Sequence, residues 1–202
     1  YENLPFWFTF FTKLNFEVVL SPESSRKLYI KGQHTIPSDT VCYPAKLLHG
    51  HVEALVEEGV DAIWYPCMSY NNDEGIGDNH YNCPVVAYYP ELLAANVPAL
   101  KETKFLDPYV GLWRHKDFTK RIAKLMAAEF DIPEKETKAA AKAAYAAYEA
   151  YVHDVRETGR QYVEYARGHH MPVVVICGRP YHIDPEINHG INDLITSFGF
   201  VL

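Results

Sequence analysis

Apolar positions in the first half of the chain change repeatedly between a β-type and a helical pattern. Leu47, Val52 and Leu55 recur at helical spacing in a helix predicted from Pro44 to Glu58, which Gly59 ends. Further helices are predicted at 5–14 and 24–30, and strands at 16–20, 62–65 and 85–89 with a short one at Phe105. Strands that alternate with helices predict an α/β fold, here a Rossmann-like parallel sheet within residues 1–110.

The second half of the chain is predicted to be mainly helical. An amphipathic helix is expected from Asp117 to Phe130, and the segment from Pro133 to Arg167 has strong helix propensity, broken only at Gly159. The apolar run Pro172 to Ile176 then predicts a strand buried on both faces, ahead of a helix at 186–198.

These patterns predict three parts. They are a Rossmann-like, cysteine-bearing domain at 1–110, a long Ala-rich helical segment at 111–171, and the truncated beginning of a second α/β unit at 172–202. The chain starts without Met and ends where a strand has just begun, so we expect it to be a piece of a longer protein.

Composition narrows the classes of partner. Of the 202 residues, 48% are hydrophobic, which is enough for one large core or two modest ones. No stretch approaches the roughly 20 consecutive apolar residues of a membrane helix. The formal charge is -7, and basic residues are scattered among acids, which argues against nucleic-acid phosphates as a partner. We therefore expect a cytoplasmic protein that binds neither nucleic acid nor membrane.

The four cysteines are the main candidates for chemistry. In open α/β sheets, ligands bind beyond the carboxyl ends of the strands. Cys67 and Cys177 directly follow predicted strands, and Cys42 lies just before a predicted helix, so all three are expected at that edge. Cys83 precedes the predicted strand 85–89 and is expected at the opposite edge, unless the preceding loop carries it back. For each cysteine alone, a small buried hydrophobic residue is the alternative interpretation.

A second candidate site lies in the string GRPYH. Gly178 frees the backbone, Arg179 offers a bidentate donor, and a helix N-terminus follows, which together predict an anion-binding site of Gly178, Arg179 and His182. A solvated or hydrogen-bonding role for His182 is the alternative, because it lies in a polar loop.

Several longer strings carry a family resemblance. They are PFWFTFF, TIPSDTVCYPAKLLHGHVEAL, GVDAIWYPC, YNCPVVAYYPE and GRPYHIDPEINHGI. They resemble the uncharacterised domain of large CoA-substrate-specific enzyme activases, multidomain relatives of the activator of 2-hydroxyglutaryl-CoA dehydratase. The resemblance runs from the first residue to about Gly190, and the long Ala-rich helix carries little of it.

The resemblance implies a role near low-potential electron transfer in anaerobic metabolism. It carries Cys42 and Cys67 over as ligands of an iron–sulfur cluster, either four-iron four-sulfur or double-cubane, with Cys83 as a further candidate. It implies the ATPase domain of the same parent protein as a partner, and dehydratase subunits beyond it. The fragment is not expected to be catalytic alone, and the cluster is expected to be lost if missing domains supply ligands.

Two interpretations without a cluster remain open. One is a CoA-binding or nucleotide-binding module in which the GRPYH string holds phosphate. The other is a docking module that joins the ATPase to its dehydratase through exposed tyrosines and the aromatic first helix.

Overall fold

The computed structural model describes residues 2–73, 75 and 77–202. Its helices in chain order are α1 (Leu4–Lys13), α2 (Arg26–Gly32), α3 (Tyr43–Glu58), α4 (Pro84–Asn96), α5 (His115–Phe130), α6 (Glu134–Gly168), α7 (Pro185–Asn188) and α8 (Ile191–Ser197). Short 3-10 turns lie at Gln33–Thr35, Pro98–Lys101 and Pro180–Ile183. The strands are β1 (Ala62–Trp64) and β2 (Lys104–Leu106). Positions 74 and 76 of the predicted polar loop lie outside the described residues.

The chain divides into two compact units. One contains Val18–Ala139, and the other contains the residues up to Glu17 together with Ala140–Leu202. The predicted three-part division of the chain at residues 110 and 171 stays a prediction. Among the described residues, no helix is both long enough and apolar enough to cross a membrane.

In the 18–139 unit, a two-stranded parallel sheet lies against two helices. β1 and β2 pair in the register Ala62 with Lys104 and Trp64 with Leu106. Ile63 of β1 is buried together with apolar residues of α3 and α4 and of the turn after α4, namely Ala45, Val52, Tyr89, Leu93, Val97 and Leu100. The fold is thus mostly helical with a small parallel sheet. The predicted Rossmann-like sheet is not confirmed, since the described residues form a sheet of only two strands.

α2 and α3 approach each other closely through two glycines. A Cβ atom at Gly50 would overlap the carbonyl oxygen of Leu28, and one at Gly32 would overlap the backbone nitrogen of Gly50. The two helices therefore pack backbone against backbone, which no residue with a side chain allows at these positions. α3 ends at Gly59 in the left-handed conformation, as its sequence predicts.

In the other unit, α1 contributes two fully buried aromatic side chains, Phe6 and Phe10. The ring of Phe6 meets that of Tyr145 on α6 edge to face, with 4.8 Å between centroids. Small residues on the same stretch of α6, Ala141 and Ala144, are also fully buried. An aromatic face meeting an alanine-rich helix explains why this segment folds although much of its surface is polar.

Several predicted elements are confirmed. The helices predicted at 5–14, 24–30, 44–58 and 117–130 are present, as are the strand at 62–65 and the short strand at Phe105. The predicted break at Gly159 is wrong, because α6 continues through it and the glycine faces open space.

Two predicted strands are wrong, and two others are reduced to a single bridge. Residues 85–89 form the start of α4, because burial of Tyr89 and Leu93, four residues apart on one face, outweighs the β propensity of the valines. Residues 16–20 are irregular rather than a strand, and Val19 and Leu20 are exposed. The runs at 172–176 and 200–202 form only an isolated parallel bridge between Val173 and Val201.

The helix predicted at 186–198 is divided into α7 and α8 at His189 and Gly190, which both have positive φ.

We expect Gly50→Ala to lower the free energy of unfolding by about 2 kcal/mol or more, because the new methyl group must separate α2 from α3. Denaturant unfolding measures this change. Gly159→Ala is the control, since nothing lies near its Cβ position, and it should raise stability by up to about 1 kcal/mol through helix propensity. Equal effects of the two substitutions would contradict the close approach of the helices.

Candidate functional site

The carboxyl edge of the sheet positions the first cysteine. Beyond the two strands the ladder continues, with the amide of Tyr65 donating to Leu106 at 2.9 Å and that of Cys67 donating to Pro108 at 3.0 Å. Cys67 accepts in turn from the amide of Val110 at 3.2 Å and lies opposite Tyr109 in a parallel bridge. Cys67 therefore follows β1 at the edge where ligands of parallel sheets bind.

A hairpin returns Cys83 to the same edge. The segment after Cys67 pairs antiparallel with itself at Tyr70 and Tyr81. Asn82 donates through its backbone amide to Ser69 at 3.1 Å and through Nδ2 to the carbonyl of Met68 at 2.8 Å. Since Asn82 precedes Cys83 and Met68 follows Cys67, the two cysteines are attached to the two arms of one hairpin. Of the two positions considered for Cys83, the structure has the one in which the preceding loop carries it back, and the opposite-edge position is not observed because residues 85–89 belong to α4.

Cys42 and Cys83 occupy equivalent positions on two helices. Each is the N-cap residue, Cys42 of α3 and Cys83 of α4, and proline follows in the first turn of both helices. The thiol of Cys42 is exposed and that of Cys83 is half-buried. Burial raises the pKa of Tyr89 on α4 to about 12, with the charge of Cys42 as the next largest cause.

Cys67 has a different environment. It is almost fully buried, and burial raises the pKa of its thiol, while the carboxylates of Glu91 and Asp107 raise it further. A backbone hydrogen bond from Glu91 and a side-chain hydrogen bond with Tyr109 act in the opposite direction. The Tyr109 hydroxyl also bonds to Glu91, which is the largest cause that raises the pKa of Tyr109 to about 12. These contacts keep Cys67 as a neutral thiol.

A buried chain of hydrogen bonds lies behind this edge. The Thr35 hydroxyl donates to the carbonyl of Gly32 at 2.9 Å, so at 2.7 Å it accepts from Nδ1 of His49. Nε2 of His49 then accepts from the hydroxyl of Tyr89 at 3.0 Å. His49 is fully buried, and burial lowers its pKa to about 4, with His34 as a smaller cause. The ring is therefore neutral and joins α3 to α4.

The sequence did not single out Thr35, His49 and Tyr89 as a group. A signal for His49 existed, since it lies four residues after Ala45 and three before Val52, both of which are buried. A histidine on the apolar face of a helix must find buried partners. Their identity could not be predicted, because Tyr89 was assigned to a strand.

The described residues do not contain a ready metal centre. Within them, no three side chains of the His, Cys, Asp or Glu type are grouped so as to hold a metal ion. Cys42 and Cys83 thus lie at two helix starts and Cys67 beyond the end of β1, and the described residues do not group them as metal ligands. Their role as ligands stays a prediction.

The predicted anion site lies in the other unit. The backbone amide of Arg179 donates to Nδ1 of His182 at 2.8 Å, and the ring of His182 fills the space beside Gly178 where a Cβ atom would lie. His182 therefore closes a turn, and it occupies an amide that an anion would have used. Arg179 is exposed and forms no ion pair within the described part of the chain. Anion binding there stays a prediction, and the Arg179 side chain is the group that would bind the anion.

Comparison with known families gives one match. The model of the CoA enzyme activase uncharacterised domain matches residues 1–202. The chain belongs to this family. The family resemblance inferred from the sequence strings is therefore confirmed. No curated protein and no solved structure matches the activase domain significantly.

The cysteines of the activase domain should differ sharply in reactivity. We expect iodoacetamide to label Cys42 and Cys177 fastest, Cys83 more slowly, and Cys67 only after denaturation, because Cys67 is buried with a raised pKa. Peptide mass spectrometry over a time course measures the four rates. Labelling of Cys67 at the rate of Cys42 in the folded domain would contradict the described packing.

The buried histidine should make the stability of the activase domain depend on pH. The pKa of His49 falls from its ordinary 6.5 to about 4, so between these pH values the unfolded chain binds a proton that the folded chain does not. Stability should therefore fall by roughly 3 kcal/mol as the pH drops from about 6.5 to about 4.

Denaturant unfolding at several pH values tests this dependence. The loss of stability should be markedly smaller in His49→Gln, which cannot take up the proton. Tyr89→Phe is the control that removes one hydrogen bond, and it should lower stability by about 1 kcal/mol at neutral pH while keeping the pH dependence. An unchanged pH dependence in His49→Gln would show that another group is responsible.

Proposed function

We propose that this activase domain contributes cysteine ligands to an iron–sulfur cluster that serves electron transfer in a larger CoA enzyme activase. The observation that carries the proposal is that Cys42 and Cys83 are the N-cap residues of α3 and α4, which pack in one core with β1. Because Asn82 bonds to Met68 and Ser69, Cys83 and Cys67 are held at one edge although fifteen positions separate them in the sequence. The helices that Cys42 and Cys83 begin are joined by the hydrogen bond between His49 of α3 and Tyr89 of α4, at 3.0 Å.

The three thiols fit a cluster unequally. Cys42 and Cys83 begin helices, and the free amides of a helix start can donate to bound sulfide. Cys67 does not fit as it is packed, because its thiol is buried and held neutral, and a ligand must be a thiolate. We therefore propose Cys42 and Cys83 as ligands, and we propose that the other coordination positions of the cluster are filled by groups from outside this chain. A bound cluster, four-iron four-sulfur or double-cubane, would supply one-electron chemistry.

The proposed partners follow from the family. The resemblance implies an ATPase domain in the parent protein, so we propose that domain as the first partner and dehydratase subunits as the second. The activase domain by itself is proposed to be non-catalytic. A cytoplasmic location is also proposed, because four unpaired cysteines suit a reducing compartment.

A docking module without a cluster is the second candidate function. It is favoured by large apolar side chains exposed between residues 175 and 198, with exposed fractions of 75% for Val175, 66% for Ile183 and 69% for Phe198. Exposed apolar side chains that lie close in sequence are typical of surfaces that meet a partner. Cluster formation separates this function from the first.

Anaerobic reconstitution tests the cluster directly. We expect the chain to take up iron and sulfide in the presence of dithiothreitol, whose thiolates can fill coordination positions that the chain leaves open. Bound iron, visible absorption and electron paramagnetic resonance report the product. Cys42→Ser and Cys83→Ser should each reduce bound iron to background, whereas Cys67→Ser should keep the iron content of the wild-type chain, because that thiol is buried and neutral.

Cys177→Ser is the matched control, because Cys177 is an exposed thiol in the other unit. It should leave iron content and spectra unchanged. Failure of the wild-type chain to take up iron, or an equal loss in Cys177→Ser, would contradict the cluster and favour the docking module.

A further inference from the structure

A cavity of about 540 Å³ lies beside the carboxyl edge of the sheet, in the part of the 18–139 unit that the cluster proposal does not use. After β2, the chain passes Tyr109, which pairs with Cys67, and then enters α5 at His115. The cavity is lined by residues from this connection and from the first three turns of α5. It therefore occupies the position where parallel sheets receive ligands, and its size lies in the range of about 300 to 1,000 Å³ of small-molecule sites.

The lining is strongly basic on a chain that is acidic as a whole. Arg114, Lys120, Arg121 and Lys124 face one carboxylate, that of Asp117, whereas the chain carries a formal charge of -7. Four positive side chains and one negative side chain leave a local excess of three positive charges. Such a concentration raises the local density of anions at the cavity.

The basic side chains divide into two kinds. The arginines are held by the wall, since Arg121 donates through Nη1 to the carbonyl of Tyr109 at 3.4 Å, and Arg114 lies 3.7 Å from Asp117. Lys120 and Lys124 are exposed and lie one helical turn apart. Glu134 pairs with Lys138 at 2.7 Å, and its attraction to Lys124 is a smaller effect. Two ammonium groups on one side of the cavity are therefore available to an incoming anion.

The aromatic wall of the cavity is fixed in place. The ring of Trp113 lies 4.5 Å from that of Tyr70 between centroids, and the guanidinium of Arg114 lies 4.0 Å from the Trp113 ring. A Cβ atom at Gly111 would lie 3.0 Å from Cδ1 of Trp113, so the glycine leaves space for the indole. Phe118 is buried at the base. A rigid wall with cationic groups beside it is a preformed site, which limits the entropy lost on binding.

We propose that this cavity binds a small diphosphate-bearing anion through Lys120, Lys124 and the guanidinium groups of Arg114 and Arg121. A diphosphate is favoured over a single carboxylate because several cationic groups line one cavity, and only an anion with several charged oxygens can meet them together. A long nucleic-acid partner is disfavoured, since outside this cavity the chain is acidic.

Isothermal titration of the 202-residue chain with inorganic pyrophosphate and, separately, with ADP tests the site. Both ligands should bind, and the difference between them measures what the nucleoside adds. In the double variant Lys120→Gln with Lys124→Gln, affinity for both should fall by at least about tenfold, the loss expected for two charged hydrogen bonds. Tryptophan fluorescence should change on binding and should do so much less in Trp113→Phe.

Two control variants make the test specific. Lys116→Gln removes a charge from the same helix outside the lining, and it should leave affinity within about twofold. Arg179→Gln addresses the anion site predicted in the other unit and should also leave affinity unchanged. Thermal unfolding by circular dichroism checks that every variant is folded.

Five results would each overturn the proposal. The first four are no binding of either ligand by the wild-type chain, unchanged affinity in the double lysine variant, an equal loss in Lys116→Gln, and a loss confined to Arg179→Gln. A fifth result also overturns it, namely that a poly-glutamate peptide binds with dependence on the two lysines while pyrophosphate does not, since the cavity would then receive an acidic protein segment.

Discussion

The hydrogen bond between His49 and Tyr89 joins α3 to α4 inside the core of the 18–139 unit. Both side chains are fully or almost fully buried, so neither can exchange this bond for water without exposing the core. The bond fixes how the two helices lie relative to each other over β1. Since Cys42 begins one helix and Cys83 begins the other, the same bond determines where these two thiols are presented.

Local signals explain the parts of the fold that the sequence predicted. α3 shows an apolar face at helical spacing and a glycine at its end, and β1 shows a short β-rich run between polar residues. Both features depend on neighbours within a few residues. The same holds for α5, whose amphipathic pattern is unambiguous.

Nonlocal packing explains the parts that were missed. The valines before Tyr89 favour a strand, and only contact with α3 and β1 makes the segment helical. The error extended to the candidate site, since the position of Cys83 was inferred from that strand. Cys67 was predicted correctly at its sheet edge because this needs only the end of β1. The pairing of Tyr70 with Tyr81, which returns Cys83, joins residues eleven positions apart and leaves no local signature.

The cysteine edge and the basic cavity are neighbours in the 18–139 unit. Tyr109 links them, because its hydroxyl bonds to Cys67 and Glu91 while its carbonyl accepts from Arg121. Tyr109 therefore contacts residues of both places.

The paired stem of the hairpin between Cys67 and Cys83 fixes the positions of these two cysteines relative to each other. Its pairing is made close to the cysteines, by Met68, Ser69 and Tyr70 on one arm and Tyr81 and Asn82 on the other. Extra residues at the tip would lengthen the excursion without moving either thiol. A single residue inserted between Asn82 and Cys83 would instead shift the start of α4 and turn its buried face away from α3. Insertions at the tip of the hairpin should therefore be tolerated, whereas insertions in its stem should destabilise the packing of α4 on α3.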